Sequence, residues 1–262
     1  MSGTFVREAG QGPGVVCLHA NAASSSQWRS LMELLAPKFR VFAPDLHDAG
    51  RGPTWPAERE MALRDEAALV APVLERAGTP LALVGHSYGA AVALIAALAN
   101  PRRVHAMALY EPTLFALIDG AKPRPNDADG IRCVLRDCAA LVERGRLDAA
   151  AERFVDYWMW PGAWRETPEA RRPAISASLR FVRRAGHAVF TEATPLEAFR
   201  ALRMPILYMT GRHTTPSALG VARCLVPVLP NVEYVELDAG HMGPVTHAEL
   251  VNETIRRFLE RV

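Results

Sequence analysis

The stretch LALVGHSYGAAVALIAALA, at positions 81–99, decides the fold of this chain. It opens with a short apolar run typical of a strand buried on both faces, and it continues from residue 88 as a helical pattern. Between the two lies Gly-x-Ser-x-Gly, with Gly85 and Gly89 on either side of Ser87. A very sharp turn needs these glycines, because side chains there would collide with neighbouring backbone. The pattern predicts a strained turn that raises the Ser87 hydroxyl above the carboxyl end of a strand.

Short apolar runs alternate with longer helical patterns over most of the chain. The runs that predict strands lie at 15–18, 40–43, 81–84, 104–109, 206–210 and 232–237. The patterns that predict helices lie at 27–35, 57–76, 88–99, 217–226 and 248–261. A chain that repeats strand, helix and strand in this way builds an open α/β sheet whose strands are mostly parallel.

This alternation stops after Pro112. No strand pattern occurs from there to about residue 202, and helical patterns take its place at 132–144 and 148–158. The same stretch carries three tryptophans, Trp158, Trp160 and Trp164. We therefore expect an α/β core made of residues 1–111 and 203–262, and a helical cap, residues 112–202, that lies over the sheet.

The composition excludes several classes of protein. Of the 262 residues, 50% are hydrophobic and 22% are charged, and the formal net charge is +2. These values are typical of a globular protein and leave no strong field to attract nucleic acid. The four cysteines are scattered without a metal-binding spacing, which favours free thiols in a reducing compartment. Because the N-terminus has no secretory pattern and the longest apolar run, 90–99, is far below the ~20 residues of a membrane span, we expect a cytoplasmic protein without membrane contact.

A candidate base for Ser87 lies near the other end of the chain. Residues 238–243 read Asp-Ala-Gly-His-Met-Gly and follow the last predicted strand. We therefore expect His241 on a loop at the same edge of the sheet as Ser87. A nucleophile early in the chain and a histidine near its end is the order found in hydrolases built on a parallel sheet.

Four motifs together indicate a family: GHSYG at 85–89, AGHMGPVTHAEL at 239–250, LHAN at 18–21 and PDL at 44–46. With them the chain resembles the α/β-hydrolase-fold superfamily, and in particular its small, cap-bearing serine hydrolases that use no cofactor. The resemblance covers nearly the whole chain. It implies a mostly parallel sheet of seven to eight strands flanked by helices, with a helical cap insertion. The short N-terminus implies that the family's first edge strand is missing.

The resemblance also implies an oxyanion hole. Its donors would be the backbone N–H groups of Asn21 and Tyr88. The family's loop begins with His-Gly, whereas in this chain His19 is followed by Ala20, which alters the expected backbone shape of that loop. His19 itself is expected to pack beneath the site.

The acidic residue departs most from the family pattern. The resemblance implies a carboxylate three residues past Gly211, where this chain has Thr214. No Asp or Glu occurs anywhere from residue 204 to residue 231. The catalytic set is therefore either a pair without an acid, or one whose acid has moved to another element.

Glu111 is the predicted replacement. It follows the strand predicted at 104–109, at the edge of the sheet where His241 is expected. The next residue is Pro112, which favours an extended backbone at Glu111. A purely structural role at the strand end is the alternative for Glu111. Asp238 and Asp45 are rival acids, although Asp238 is expected to order its own turn and Asp45 occupies a position that is usually structural in the family.

These residues predict acyl transfer. Ser87 would attack a carbonyl group, His241 would take and return the proton, and Glu111 would orient His241. Water would then cleave the acyl-enzyme, so that no metal and no cofactor is needed. The expected activity is that of a carboxylesterase-like hydrolase acting on a carboxylic ester or lactone of a small apolar or aromatic molecule.

Five residues are candidates for lining the pocket: His213, Thr214, Trp158, Trp160 and Met242. A serine at position 87 argues against the dehalogenases and epoxide hydrolases of this fold, which attack with a carboxylate. The same catalytic set also serves carbon–carbon bond hydrolysis, perhydrolysis or a lyase reaction, and these alternatives stay open. A ligand-binding protein without activity and an interaction module are the remaining alternatives. The sequence leaves the oligomeric state open.

Overall fold

The computed structural model describes residues 3–56 and 58–262, and within them it contains one sheet of seven strands. The strands are β1 (Val6–Ala9), β2 (Gly14–Leu18), β3 (Arg40–Pro44), β4 (Leu81–His86), β5 (Val104–Tyr110), β6 (Ile206–Gly211) and β7 (Val232–Leu237). Their order across the sheet is β1-β3-β2-β4-β5-β6-β7. Strand β1 is antiparallel to β3, and the other neighbours are parallel. The predicted α/β-hydrolase fold is thereby confirmed.

Six of the seven strands correspond to predicted runs, and β1 does not. Its sequence, Val-Arg-Glu-Ala, carries two charges in four residues and contains no apolar run. It pairs on one side only, with β3, and an edge strand of this kind can face solvent. Its formation therefore depends on the neighbouring strand more than on its own pattern.

The helices of the described residues connect and cover these strands. They are α1 (Arg29–Leu35), α2 (Leu63–Ala77), α3 (Tyr88–Ala99), α4 (Ala116–Ala121), α5 (Asp129–Glu143), α6 (Leu147–Trp158), α7 (Ala163–Glu166), α8 (Arg172–Ser178), α9 (Val182–Phe190), α10 (Pro216–Leu225), α11 (Gly243–Thr246) and α12 (Ala248–Leu259). Short 3₁₀ turns join some of them. Helices α1 and α12 pack together on one face of the sheet, and α2 and α3 pack on the other.

Helix α2 begins later than the pattern at 57–76 predicted. Ala62 is still extended, with φ −117° and ψ 158°, and its N–H donates to the Asp65 side chain at 2.9 Å. This bond stops the helix from extending backwards, because it uses the residue before the first turn as a cap. Ala57, where the predicted helix began, lies outside the described residues.

Residues 112–202, which we call the inserted segment, contain helices α4 to α9 and no strand. Their apolar residues share one hydrophobic core with α2, α3 and α10. A second core on the opposite face of the sheet contains residues of α1 and α12. The division of the chain into a core and a cap stays a prediction.

Candidate active site

Ser87 lies in the tight turn between β4 and α3. Its φ of 54° and ψ of −117° are strained for a residue with a side chain. A Cβ added at Gly85 would lie 2.5 Å from the Ala90 Cα, and one at Gly89 would lie 2.2 Å from the Leu18 carbonyl oxygen. Both glycines are therefore required by close backbone approach, as the sequence pattern predicts.

His241 joins Ser87 to Glu111 in one row of hydrogen bonds. The His241 Nε2 lies 2.9 Å from the Ser87 Oγ, and the Nδ1 lies 2.5 Å from the Glu111 Oε2. All three residues are buried. An Nδ1–H that donates to the carboxylate leaves Nε2 free to accept the serine proton, which is the arrangement that activates a serine.

Glu111 is held by three donors. Besides the His241 Nδ1–H, its Oε2 accepts from the Thr214 hydroxyl at 2.7 Å, and its Oε1 accepts from the Gly211 N–H at 2.7 Å. The expected extended backbone is wrong, because Glu111 has a φ of +46°. Its own N–H still donates to the Met209 carbonyl of β6 at 3.1 Å. The backbone therefore leaves the extended conformation at the last hydrogen bond between β5 and β6.

Thr214 is not among the residues that line the cavity at Ser87, so the prediction that it lines the pocket is wrong. Its position is the one where the family resemblance places the acid. Here its hydroxyl donates to the Glu111 carboxylate. The loop after β6 supplies donors instead of the negative charge.

Asp238 does not reach His241. Its Oδ1 lies 2.8 Å from the Nε2 of His213, and both side chains are exposed. The hydrogen bond from His213 holds the pKa of Asp238 below its usual value. The prediction that His213 lines the pocket is wrong as well, because its ring bonds an exposed carboxylate. Asp45 is also structural, since it accepts from the Ser25 N–H at 2.6 Å.

Two side chains hold the loop that carries His241. Tyr110, the last residue of β5, donates its hydroxyl to the Gly240 carbonyl at 2.7 Å. His86, the last residue of β4, bonds the His241 carbonyl through its Nε2 at 2.9 Å. Burial lowers the pKa of His86 well below its usual value, so the ring is neutral and one nitrogen can accept. Each anchor directly precedes one of the two residues that His241 bonds, Ser87 and Glu111.

Gln27 links this loop to the predicted oxyanion loop. Its Nε2 donates to the His86 Nδ1 at 3.1 Å, and its Oε1 accepts from the Ala20 N–H at 3.1 Å. Neither Gln27 nor the anchoring role of His86 is predicted from the sequence. The histidine within Gly-His-Ser was the available signal, but only the folded chain shows which carbonyl it bonds.

The predicted oxyanion donors lie beside Ser87. Asn21 and Tyr88 line the same cavity as Ser87. Tyr88 is the first residue of α3, where an N–H has no partner within the helix. His19 is buried and accepts from the Leu46 N–H at 3.0 Å, so its ring is bonded away from Ser87, His241 and Glu111, as expected. The oxyanion role of Asn21 and Tyr88 stays a prediction.

The cavity above Ser87 has a largely apolar wall. Trp158 and Met242, two of the predicted pocket residues, line it. Trp160 does not, because its side chain is 45% exposed on the outer surface, and that prediction is wrong. Other wall residues from the inserted segment are Phe115, Ile131, Leu135, Phe154 and Val189.

A second cavity adjoins the first, and its wall is more polar than that of the first. The two share Asn21, Tyr88 and Ala185. The wall of the second includes Glu66, whose Oε1 accepts from the Tyr88 hydroxyl at 3.3 Å. Burial, together with Glu66, raises the pKa of Tyr88. The Tyr88 side chain is therefore a neutral donor to Glu66.

The cysteines of residues 3–56 and 58–262 are not paired in disulfides. All four cysteines are free, as predicted. Burial raises the pKa of Cys17, and it raises that of Cys138 to about 12. No group of three His, Cys, Asp or Glu residues in these ranges could hold a metal ion. No helix of the same ranges is long and apolar enough to cross a membrane.

Comparison with known proteins identifies the family. A sequence model of the alpha/beta hydrolase fold matches residues 13–248. A pimeloyl-[acyl-carrier protein] methyl ester esterase from Aeromonas hydrophila subsp. hydrophila is 34% identical over 97% of this chain and 98% of its own. A haloalkane dehalogenase from Mesorhizobium japonicum is 26% identical over 99% of this chain and 88% of its own. Among solved structures, a thermophilic esterase from Thermogutta terrifontis superposes with a TM-score of 0.77, at 23% identity over 98% of this chain and 93% of its own.

Proposed function

Because the chain belongs to the alpha/beta hydrolase family, we propose that it is a serine hydrolase that cleaves a carboxylic ester or a lactone through an acyl-enzyme on Ser87. The observation that carries this proposal is the buried row of hydrogen bonds from Ser87 through His241 to Glu111 at the wall of an apolar cavity. The esterases among its relatives support the cleavage of an ester. The serine at the turn disfavours the carboxylate chemistry of a dehalogenase.

In the first step the Ser87 Oγ attacks the carbonyl carbon of the substrate, and the His241 Nε2 takes the hydroxyl proton. Glu111 keeps the imidazole in the tautomer that can accept this proton and stabilises the positive charge that forms. The imidazolium then gives its proton to the leaving oxygen as the carbon–oxygen bond breaks. A water molecule attacks the acyl group on Ser87 in the same way and releases the acid.

The negative oxygen that forms on the carbonyl would be bound by two backbone N–H groups. Tyr88 contributes the first N–H of α3, where the helix dipole also favours negative charge. The Ala20 N–H is already bonded to Gln27. The next N–H, that of Asn21, is therefore the donor that this loop can offer.

The cavity indicates the kind of substrate. Its wall is largely apolar, which suits a small apolar or aromatic molecule. The inserted segment supplies much of this wall, including Ile131, Leu135 and Phe154, and we assign it the role of a cap. The proposed chemistry uses protein groups and water alone, and its partner is a small molecule, not nucleic acid or a membrane.

Labelling by a fluorophosphonate probe, followed by intact mass, tests the proposal. The wild type should gain one label, the Ser87→Ala variant should gain none, and p-nitrophenyl esters of short acids should be hydrolysed only by the wild type. Labelling that persists in Ser87→Ala would contradict Ser87 as nucleophile. A folded wild type that neither labels nor turns over any ester would contradict the hydrolase and favour ligand binding or a lyase reaction.

A further inference from the structure

One aromatic contact joins the inserted segment to the proposed base. The indole of Trp158 lies against the imidazole of His241, with ring centroids 3.9 Å apart and ring planes 26° apart. Trp158 is the last residue of α6 and is buried, whereas His241 lies on the loop after β7. The inserted segment therefore contacts the histidine that bonds both Ser87 and Glu111.

The end of α6 is firmly held. The two carboxylate oxygens of Asp156 accept from the Gly162 N–H at 2.9 Å and from the Trp164 N–H at 2.8 Å. The Tyr157 ring meets the Trp158 ring edge-on, with centroids 5.0 Å apart. The helix end that carries the indole is therefore held by contacts within its own segment.

The two hydrogen bonds of His241 leave one motion of its ring open. Both bonds, to Glu111 at Nδ1 and to Ser87 at Nε2, act in the plane of the imidazole and leave it free to tilt about the line that joins them. A flat ring packed against the imidazole removes this tilt. It also keeps water from that face, and the face of an indole favours a cation beside it.

We propose that Trp158 is a positioning residue for His241, through which the inserted segment completes the active site. Its indole holds the imidazole in line between Glu111 and Ser87 and favours the imidazolium that forms when the serine proton is taken. This inference rests on the proposed function. It predicts that the site reaches full reactivity only when the inserted segment is seated on the sheet.

Three variants test the proposal, with Trp160 as the matched control, because it follows two residues later and its side chain is exposed. Trp158→Leu should lower kcat and the rate of fluorophosphonate labelling by about tenfold, with KM changed by less than about twofold. Trp158→Phe should recover most of both rates, since it keeps an aromatic face. Trp160→Leu should match the wild type.

The conservative variant covers the case in which Trp158→Leu fails to fold. Trp158→Phe then still decides, because the proposal requires it to recover most of kcat and of the labelling rate.

Two other results would overturn the proposal. Unchanged labelling of Trp158→Leu with a raised KM would make Trp158 a wall of the cavity and nothing more. A folded Trp158→Phe variant that loses kcat and labelling by about tenfold would contradict the role of an aromatic face. A wild type that does not label at Ser87 would instead contradict the proposed function.

Discussion

The carboxyl ends of β5 and β6 lie side by side, and both contribute to the hydrogen bonds around one carboxylate. After β5 comes Glu111, which supplies a negative charge, whereas the end of β6 and its loop supply two donors to that charge, the Gly211 N–H and the Thr214 hydroxyl. The family resemblance places the acid after β6. Because neighbouring parallel strands end at the same edge, a carboxylate from either strand can reach the same point beside His241. The place of the acid along the chain can therefore change while its place in space does not.

Asp238 and Glu111 show that distance along the chain does not predict which carboxylate bonds His241. Asp238 lies three residues before His241 but bonds an exposed histidine. Glu111 lies 130 residues before His241 in the chain and bonds it at 2.5 Å. Proximity in sequence misleads here, since a short turn directs the two side chains apart.

The largest effect should come from the charge after β5. Glu111→Gln keeps the size of the side chain but offers the His241 Nδ1–H a neutral amide, and we expect kcat for a p-nitrophenyl ester to fall by roughly 10³- to 10⁴-fold. Steady-state kinetics with matched circular dichroism spectra would measure this. A variant that keeps more than about a tenth of the wild-type rate would show that Glu111 does not orient the base.

The comparison of the two strand ends can be tested by moving the acid back. The Thr214 hydroxyl and the His241 Nδ1 both bond the Oε2 of Glu111, at 2.7 Å and 2.5 Å. The two groups therefore lie at most about 5 Å apart. The double variant Glu111→Ala with Thr214→Asp should therefore be at least about tenfold faster than Glu111→Ala alone. Equal rates for the two variants would mean that only β5 can supply a usable charge.

Removing a donor should cost less than removing the charge. Thr214→Val has nearly the same shape but no hydroxyl, so the Glu111 carboxylate keeps two donors of three. We expect kcat to fall by roughly tenfold, which corresponds to about 1.4 kcal/mol in the barrier. Thr214→Ser restores the hydroxyl and serves as the control, and its rate should lie close to that of the wild type.

The smallest effect should come from Asp238. Its ion pair with His213 is exposed and does not include His241, so Asp238→Asn should change kcat by less than about twofold. The pKa of Asp238 is lowered in the folded protein, so its contribution to the free energy of unfolding is present once the carboxylate is ionised and disappears as the pH falls through the folded-state pKa. Thermal unfolding should therefore separate the variant from the wild type less at acidic pH than near neutrality. A large loss of activity would return Asp238 to the list of candidate acids.

The amino-acid sequence by itself predicts much of this arrangement. Gly85, Ser87 and Gly89 were recognisable because a sharp turn imposes its residue types locally. His241 was recognisable because it follows a strand at the same sheet edge. Glu111 followed from the missing acid after β6 and from the adjacency of parallel strands. The structure brings Ser87, His241 and Glu111 together within hydrogen-bond distance.

Other features did not follow from pattern. Trp158 and Trp160 are the same residue type two positions apart, yet one lies on His241 and the other faces solvent. Trp158 is the last residue of α6, and the position of this helix end determines which of the two side chains points inward. Strand β1 and the late start of α2 also depended on neighbours, namely β3 and the Asp65 side chain.

The sequence by itself determined the alternation of strands and helices, the strained turn at Ser87 and the loop that carries His241, because each depends on residues close together in the chain. The tertiary structure decided which carboxylate meets His241, which loop supplies donors to it and which tryptophan covers it. Those contacts join residues far apart in the chain. Strand order, register and the seating of the inserted segment set them, and these are properties of the whole packed molecule.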